Sequence, residues 1–512
     1  MHNLISPCCP EVEPRRRLLE SARQHLGQRR LPAAAKAYAA VLDQEPDCVE
    51  ALGQLGFLWF QFGCYAESLA CLQKAVQFAP TQPKLHLLLG AVLRKLGRWK
   101  ESADCCLRET EISPADADAH YNLGLARQSL KPPGEALAAF QQAVSLRPDY
   151  VDALVGLGQA LRQTGDHLAA LESLERAVVL EPARAEAHCE LATLLLSLGR
   201  FERGWSEYEW RWQLNDRTLP PTRFAQPLWD GQDLGGRRIL LHCEQGFGDV
   251  IHFSRYAALV AERHGTVILG CPESLRPIME TVRGVTEVAV SRRGHPSFEV
   301  QVPLMSLPAI FGTTVETVPR QIPYLRAPAA KPASPPWVKD APGLKVGLVW
   351  AADSASPNAW LRSLPLDCCE PLLALPGIQW YSLQVGLAAD ALAEPAFAGR
   401  LADLGRRLAD FGDTARAIAA LDLVISVDTC VAHLAGALGK PVWTLLPFDA
   451  DWRWMIGRAD SPWYPTMRLL RQSQRGDWPG VISRVAIALR DLSSLPRHSD
   501  VEAGPWSVAR GS

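Results

Sequence analysis

The chain has 512 residues, of which 21% are charged, and a formal net charge of −2 at pH 7. This length is too great for one hydrophobic core and predicts about three domains. The near-zero net charge gives no electrostatic reason to expect nucleic acid, and no run of lysine and arginine is long enough to form a phosphate-binding patch. No window reaches about 18 uninterrupted apolar residues, so no membrane span is predicted.

The first residues and the cysteines indicate a compartment. The opening MHNLISPCCPEVEPRRR has no apolar core of the kind found in secretory signals. The thirteen cysteines include three adjacent pairs, Cys8/Cys9, Cys105/Cys106 and Cys368/Cys369. Neither a CxxC motif nor a Cys/His set at zinc-ligand spacing occurs. We therefore expect a soluble cytoplasmic protein with reduced, mostly buried cysteines and no bound metal.

Residues 1–216 carry a repeat with a period of 34 residues. A proline recurs at this interval, at Pro46, Pro80, Pro114, Pro148 and Pro182. A Leu-Gly pair recurs in the same register, at Leu55/Gly56, Leu89/Gly90, Leu123/Gly124 and Leu157/Gly158. We expect this pair to open the first helix of each unit, a second helix to pack closely on the small residue, and the proline to end that second helix. These residues resemble tetratricopeptide repeats, in about five and a half copies with a degenerate first one.

Such an array predicts an α solenoid with a concave face. The resemblance implies that a protein or peptide partner binds there, and the alternative is a rigid spacer with no ligand. Near the end of the array stand Trp205, Tyr208, Trp210 and Trp212. These aromatic residues are too many for a solvent-facing cap, so we expect them to pack against the next domain.

Residues 217–335 alternate strand and helix signals and predict a Rossmann-like α/β domain. A strand at 238–242 runs into a turn containing Gly246 and Gly248, and Asp249 begins an amphipathic helix. Ile251 stands where a dinucleotide fingerprint needs its third glycine, and the aspartate occupies the place of the pyrophosphate. The carboxylate is better suited to take a proton from a hydroxyl group. Its alternative role is to cap the helix.

Further strands are predicted at 267–269, 288–290 and 298–302, and a Pro/Ala-rich linker at 326–343. Residues 336–494 predict a second Rossmann-like domain, with strands at 345–351 and 378–383. A strand, turn, helix and strand then follow at 423–446, with Gly439 ending the helix. Both strands are almost wholly apolar, which predicts a parallel sheet covered on both faces. Residues 495–512 are expected to form a flexible tail.

The start of the helix at 430–438 is a candidate anion site. Parallel sheets bind ligands beyond the carboxyl ends of their strands, and no charged side chain occurs from Thr429 to Ala432. The free N–H groups and the helix dipole favour a phosphate or diphosphate there. His433 lies one turn further on and is expected to face the same pocket. Alternatively, Asp428 or Thr429 caps the helix and His433 is a packing histidine.

A polar loop at 352–363 leaves another strand of the same domain. Arg362 and Ser363 close this loop and are placed to reach a phosphate or sugar oxygen. The alternative is a surface loop whose arginine is solvated.

Two motifs carry a resemblance to a known family. GFGDVIH at 246–252 and VDTCVAHLAGALGKPVWTLL at 427–446 resemble the glycine-aspartate turn and the Asp-Thr-x-x-x-His helix of glycosyltransferase family 9. This heptosyltransferase-like family has the GT-B fold of two Rossmann-like domains, and some bacterial members are fused to tetratricopeptide repeats. In the repeat-fused members the loop after the 345–351 strand usually begins Gly-Asn, where this chain has Ala352 and Asp353.

The resemblance implies roles for individual residues. Asp249 would be the general base, in a turn formed by Gly246, Gly248 and His252, and Asp428, Thr429 and His433 would hold or shape the site of the donor diphosphate. It implies inverting sugar transfer from a nucleotide-sugar donor to a protein or glycan acceptor, without a metal ion or a cofactor. The alternatives are a non-catalytic scaffold with a relic transferase domain, and a tetratricopeptide O-GlcNAc transferase, whose motif order fits less well.

Overall fold

The computed structural model describes residues 12–130, 135–214, 224–290, 295–329, 338, 342–356 and 359–494. The predicted tail at 495–512, and most of the predicted linker at 326–343, lie outside these residues. The chain divides into two compact units, Met1–Glu190 and Leu191–Ser512. The predicted domain boundaries at 216 and 335 remain predictions.

In its described part the first unit consists of helices. They are α1 (Val12–Gly27), α2 (Leu31–Gln44), α3 (Val49–Gln61), α4 (Tyr65–Phe78), α5 (Leu85–Lys95), α6 (Trp99–Ile112), α7 (Ala117–Gln128), α8 (Ala136–Leu146), α9 (Val151–Thr164) and α10 (His167–Leu180); α11 (Ala185–Ser197) continues into the second unit. Each proline of the 34-residue period stands two residues beyond the end of an even-numbered helix, from α2 to α10. The array is therefore a helical solenoid of the tetratricopeptide type.

The repeated glycines lie in the middle of their helices, so the expectation that the Leu-Gly pair opens each first helix is wrong. The helix begins earlier, directly after the proline turn, and the glycine faces the second helix of the same repeat. A Cβ atom on Gly56 would lie 2.6 Å from Leu72, and one on Gly124 would lie 2.6 Å from Phe140. The expected close approach of the two helices at the small residue is confirmed.

The second unit contains two parallel sheets. The first sheet has the strands β1 (Arg238–His242), β2 (Thr266–Cys271), β3 (Val285–Val290) and β4 (Val300–Pro303), in the order β3-β2-β1-β4. Its neighbouring helices are α12 (Phe201–Tyr208), α13 (Phe247–Phe253), α14 (Ala257–Ala261), α15 (Arg276–Met279) and α16 (Leu307–Ile310). The strands predicted in this region are confirmed, with ends shifted by a few residues.

The second sheet has six strands in the order β10-β9-β8-β5-β6-β7. They are β5 (Leu344–Val349), β6 (Ile378–Ser382), β7 (Ala402–Asp403), β8 (Leu423–Val427), β9 (Val442–Leu446) and β10 (Met467–Arg471). The helices are α17 (Ala359–Arg362), α18 (Glu370–Leu373), α19 (Phe411–Ala419), α20 (Cys430–Ala437) and α21 (Trp478–Ser494). Since β8 pairs in parallel with β5 and β9, the predicted parallel sheet is confirmed.

Aromatic residues join α12 to the two sheets. Trp205 is 2% exposed, meets the ring of Trp452 edge-on at 5.3 Å, and donates from Nε1 to the carbonyl of Thr313 at 2.9 Å. Tyr208 also packs near Trp452, whereas Trp212 remains 39% exposed. The expected packing of these aromatics on the α/β region thus holds for Trp205 and Tyr208.

Arg255, just after α13, is buried between the two sheets and bonds mainly to carbonyl groups. Its guanidinium donates to the carbonyls of His252 at 2.8 Å, Trp463 at 2.7 Å and Pro319 at 3.3 Å, and to Tyr324 Oη at 3.1 Å. It also lies over the ring of Tyr464. One side chain therefore ties together three segments that are distant in sequence. Across the described ranges, no helix combines the length and apolar character needed to cross a bilayer.

Candidate functional site

A pocket of about 630 Å³ lies beyond the carboxyl ends of both sheets. In the second sheet, successive strands are added on one side of β5 as far as β7 and on the other side, from β8 to β10. The strand order therefore reverses between β5 and β8, and ligands of parallel sheets bind at such a reversal. The lining residues come from loops after β1, β2, β5, β8 and β9: Gln245, Gly246, Phe247, Gly248, Asp249, Pro272, Ala352, Asp353, Ser356, Arg362, Asp428, Thr429, Cys430, His433, Asp451 and Arg453.

The structure brings most of the predicted site residues into this one pocket. Those lining it are Gly246, Gly248, Asp249, Arg362, Asp428, Thr429 and His433. Ser363 is not among the lining residues, because its hydroxyl donates to Ala359 O at 2.7 Å and accepts from Ala352 N at 3.0 Å within the loop. His252 is also absent from the lining, because this residue of α13 is fully buried.

Asp249 is the third residue of α13, and the helix cap is Gly246. The Gly246 N–H donates to Asp249 Oδ2 at 3.0 Å, so the aspartate closes the first turn by bonding back to the cap. Its other oxygen accepts from the guanidinium of Arg453. Burial raises the pKa of Asp249 above its usual value, and Arg453 opposes that shift. The carboxyl group therefore has both a structural role in the helix start and an open side toward the pocket.

Arg453 was not predicted as a site residue. It lies in a short turn after β9, its side chain is 8% exposed, and Nη1 donates to Asp451 Oδ1 at 2.8 Å. The guanidinium stacks over the ring of Trp452 at 4.4 Å from the centroid. A signal was present in the sequence, since the segment DWRW places a charged residue within an aromatic run that is expected to be buried.

The start of α20 has the cap that the more conservative interpretation predicted. Thr429 Oγ1 accepts from Val431 N at 3.3 Å and bonds to Ser426 Oγ at 3.1 Å. Arg362 Nη1 donates to the carbonyl of Asp428 at 3.3 Å and lies 4.0 Å from its carboxylate. The first turn of α20 thus carries no charged side chain, with a guanidinium directly beside it.

His433 is 5% exposed and packed on several sides. Nδ1 lies 3.0 Å from Tyr464 Oη, and the ring stacks on Trp454 with the centroids 5.0 Å apart. Burial lowers the pKa of His433 to about 3, so the ring is neutral near pH 7. A Cβ atom on Gly248 would lie 3.2 Å from His433 Cδ2, which explains why a residue without a side chain stands where α13 meets α20.

The pocket contains more acidic than basic groups. Asp249, Asp353, Asp428 and Asp451 line it together with the two arginines. Burial, with a contribution from Asp451, raises the pKa of Asp428 to about 6. For Asp451, burial acts to raise the pKa, but Arg453 outweighs it and the pKa is lowered. In the described part of the chain, no cluster of three or more His, Cys, Asp or Glu side chains is arranged to hold a metal ion.

Comparison with known families finds the tetratricopeptide repeat at residues 19–83, 121–180 and 157–208. A similar curated protein is FlbA of Caulobacter vibrioides, with 31% identity over 334 residues. That match covers 59% of this chain, and the chain spans 54%, about half, of the length of FlbA.

Several solved structures of repeat proteins resemble part of the chain. A chain of MamA from Desulfovibrio magneticus RS-1, from residue 41 to the end, has 24% identity and a TM-score of 0.32, and the match covers 34% of this chain and 98% of the solved one. YrrB, described as a TPR protein with an unusual peptide-binding site, has 23% identity and a TM-score of 0.30, covering 32% of this chain and 86% of YrrB.

Proposed function

We propose that the second unit is a glycosyltransferase that moves a sugar from a nucleotide-sugar donor to a protein or glycan acceptor. The observation that carries this proposal is the pocket in which Asp249 and the uncharged start of α20 meet. These groups come from two different parallel sheets, and each lies beyond the carboxyl end of a strand. A base for the acceptor and an anion site for the leaving group are the two elements that sugar transfer needs.

In this proposal Asp249 takes the proton of the acceptor hydroxyl. The acceptor oxygen then bonds to the anomeric carbon as the bond from that carbon to the diphosphate oxygen breaks, with inversion of configuration. The N–H groups at the start of α20 and the guanidinium of Arg362 stabilise the charge that develops on the nucleoside diphosphate. These groups supply the stabilisation without a metal ion or a cofactor, so none is expected.

The repeat array suggests binding of a protein or peptide partner, as tetratricopeptide arrays do through their concave face. We propose that the acceptor, or a protein that carries it, binds there. Retention of such a partner by residues 1–190 alone, compared with the full chain, measures whether the array is sufficient for binding.

The first test is a thermal-shift panel of nucleoside diphosphates and their sugars. A ligand at about 100 times its Kd stabilises the protein by roughly 2.7 kcal/mol. The nucleotide that stabilises the chain then serves in a transfer assay with Asp249→Asn. We expect turnover to fall by about 10²- to 10⁴-fold, the usual contribution of a general base, with donor affinity retained.

Asp451→Asn is the matched control, because Asp451 also pairs with Arg453 and lines the pocket. It removes the same charge but no proposed base, so turnover should change less than about tenfold, a barrier change below roughly 1.4 kcal/mol. Equal losses in the two variants would remove Asp249 from the mechanism.

The alternative function is a scaffold whose α/β unit no longer catalyses transfer. Two observations favour it: Arg453 already occupies one oxygen of Asp249, and the acidic pocket opposes an anionic donor. This alternative predicts that no nucleotide in the panel stabilises the chain, and that Asp249→Asn leaves partner binding unchanged.

A further inference from the structure

Behind the pocket, two histidines share one tyrosine hydroxyl. His252 Nδ1 and His433 Nδ1 each lie 3.0 Å from Tyr464 Oη. A hydroxyl has a single proton, so it donates to one of these rings and accepts from the other. Burial lowers the pKa of both histidines, and both rings are neutral near pH 7. One histidine therefore carries its proton on Nδ1 and the other on Nε2.

A second hydroxyl group, that of Tyr324, lies near Tyr464 and does not change this assignment of protons. Tyr324 Oη donates to the carbonyl of Ile251 at 3.0 Å and accepts from Arg255 at 3.1 Å. Its proton is thus used, although its oxygen lies 3.4 Å from Tyr464 Oη. Both histidine nitrogens lie closer to Tyr464 Oη, at 3.0 Å, than Tyr324 Oη does, so the proton of Tyr464 is assigned to one of the two histidines.

The burial of His252 decides which groups donate and which accept in the hydrogen bonds that join His252, Tyr464 and His433. His252 is 0% exposed, and its Nε2 has no hydrogen-bond partner. If Nδ1 of this ring accepted from Tyr464, an N–H group would be buried at Nε2 without an acceptor, and such orphaned donors are rare in proteins. A bare ring nitrogen at that position is less unfavourable. His252 Nδ1–H therefore donates to Tyr464, and the tyrosine O–H donates to His433 Nδ1.

The packing holds this arrangement in place and leaves one edge of His433 toward the pocket. Gly436 makes room for the tyrosine, since a Cβ atom there would lie 2.5 Å from Cδ1 of Tyr464. A Cβ atom on Gly248 would lie 3.7 Å from His433 Nε2. The Nε2 edge thus faces the pocket-lining turn, and in this tautomer it carries a proton.

We propose that Tyr464 and His252 are positioning residues that hold His433 as the Nε2–H tautomer, so that a neutral ring donates a hydrogen bond to a diphosphate oxygen beside α20. This inference rests on the proposed function for the identity of the ligand. The tautomer itself rests on the hydrogen-bond geometry and on the burial of the two rings. A neutral donor suits a pocket that must accept an anion without a further fixed charge.

The test begins with nitrogen chemical shifts of the full chain labelled with ¹⁵N-histidine, assigned with His252→Gln and His433→Gln. We expect an Nδ1–H signature for His252 and an Nε2–H signature for His433. Tyr464→Phe should release the constraint and give His433 a mixture of tautomers. The matched control is Tyr324→Phe, which removes the neighbouring hydroxyl and should leave both signatures unchanged. The opposite assignment in the unmodified protein would overturn the proposal, even if Tyr464→Phe does not fold.

The second measurement is calorimetric titration with inorganic diphosphate and with nucleoside diphosphates. Tyr464→Phe should weaken binding about tenfold, as the loss of one well-placed hydrogen bond does, while Tyr324→Phe should not. Unchanged affinity in Tyr464→Phe would overturn the donor role of His433. If the unmodified protein has the expected tautomer but binds none of these ligands, the diphosphate assignment and the proposed function both fail.

Discussion

Acid should destabilise the second unit through His433, and the size of the effect follows from the lowered pKa of this histidine. The pKa of this histidine is lowered from 6.5 to about 3 by burial. Between these values the unfolded chain binds more protons than the folded one, so stability is present above pH 6.5 and is lost as the pH falls. Moving from pH 7 to pH 5 should remove about 2 kcal/mol of the free energy of unfolding, at 1.36 kcal/mol per pH unit below 6.5.

Asp428 contributes with the opposite sign. Its pKa is raised from 3.8 to about 6, so the folded state takes up a proton first and is stabilised by acid in this range. The comparison that isolates the histidine is therefore between the unmodified chain and His433→Gln, since both contain Asp428. We expect the unmodified chain to lose about 2 kcal/mol more than His433→Gln between pH 7 and pH 5.

The assay is urea unfolding at pH 7, 6 and 5, followed by the fluorescence of tryptophans such as Trp454 and Trp463, which are buried near His433. His264→Gln serves as the control, because that side chain is 76% exposed and lies in the same unit. It should follow the unmodified chain within about 0.5 kcal/mol, as surface substitutions usually do. Equal losses in the unmodified chain and in His433→Gln would refute the neutral, buried histidine.

Three further substitutions test the packing and the ion pairs. Phe140→Ala should cost the first unit about 3–5 kcal/mol in urea unfolding followed by circular dichroism, because a fully buried ring is lost. Gly436→Ala should lower the melting temperature through a cost of about 1–3 kcal/mol, because the new methyl group would overlap the ring of Tyr464. Arg453→Met should cost about 3–5 kcal/mol near pH 7, because it leaves two carboxylates without their cation, and the loss should shrink in acid as Asp249 and Asp451 protonate.

Local features of the structure were predictable from the sequence. The strands Leu423–Val427 and Val442–Leu446 lie where their apolar runs placed them, because a buried parallel strand must be apolar on both faces. The helical solenoid was predictable because the 34-residue repeat is uninterrupted. The position of the repeated glycines within their helices was not predictable, because a Leu-Gly pair marks a contact between helices and carries no signal for where a helix starts.

The site was predictable only in part, because its pairings join distant positions. Asp249 and Arg453 are 204 residues apart, and no spacing rule connects them. His252 and Tyr464 are 212 apart, so the hydrogen-bond chain behind His433 was also invisible in the sequence. Ser363 stands next to Arg362, the last residue of α17, but its hydroxyl bonds within the loop, and of the two only the arginine lines the pocket.

Arg255 has a consequence for how the two sheets tolerate substitution. Its fork-shaped head satisfies carbonyl groups from three separate segments at once. A lysine there would present a single ammonium group and would leave some of those buried carbonyl oxygens without a hydrogen-bond donor. An apolar residue would leave all of them without this donor. Replacing Arg255 is therefore expected to disturb all three segments together, although they are far apart in sequence.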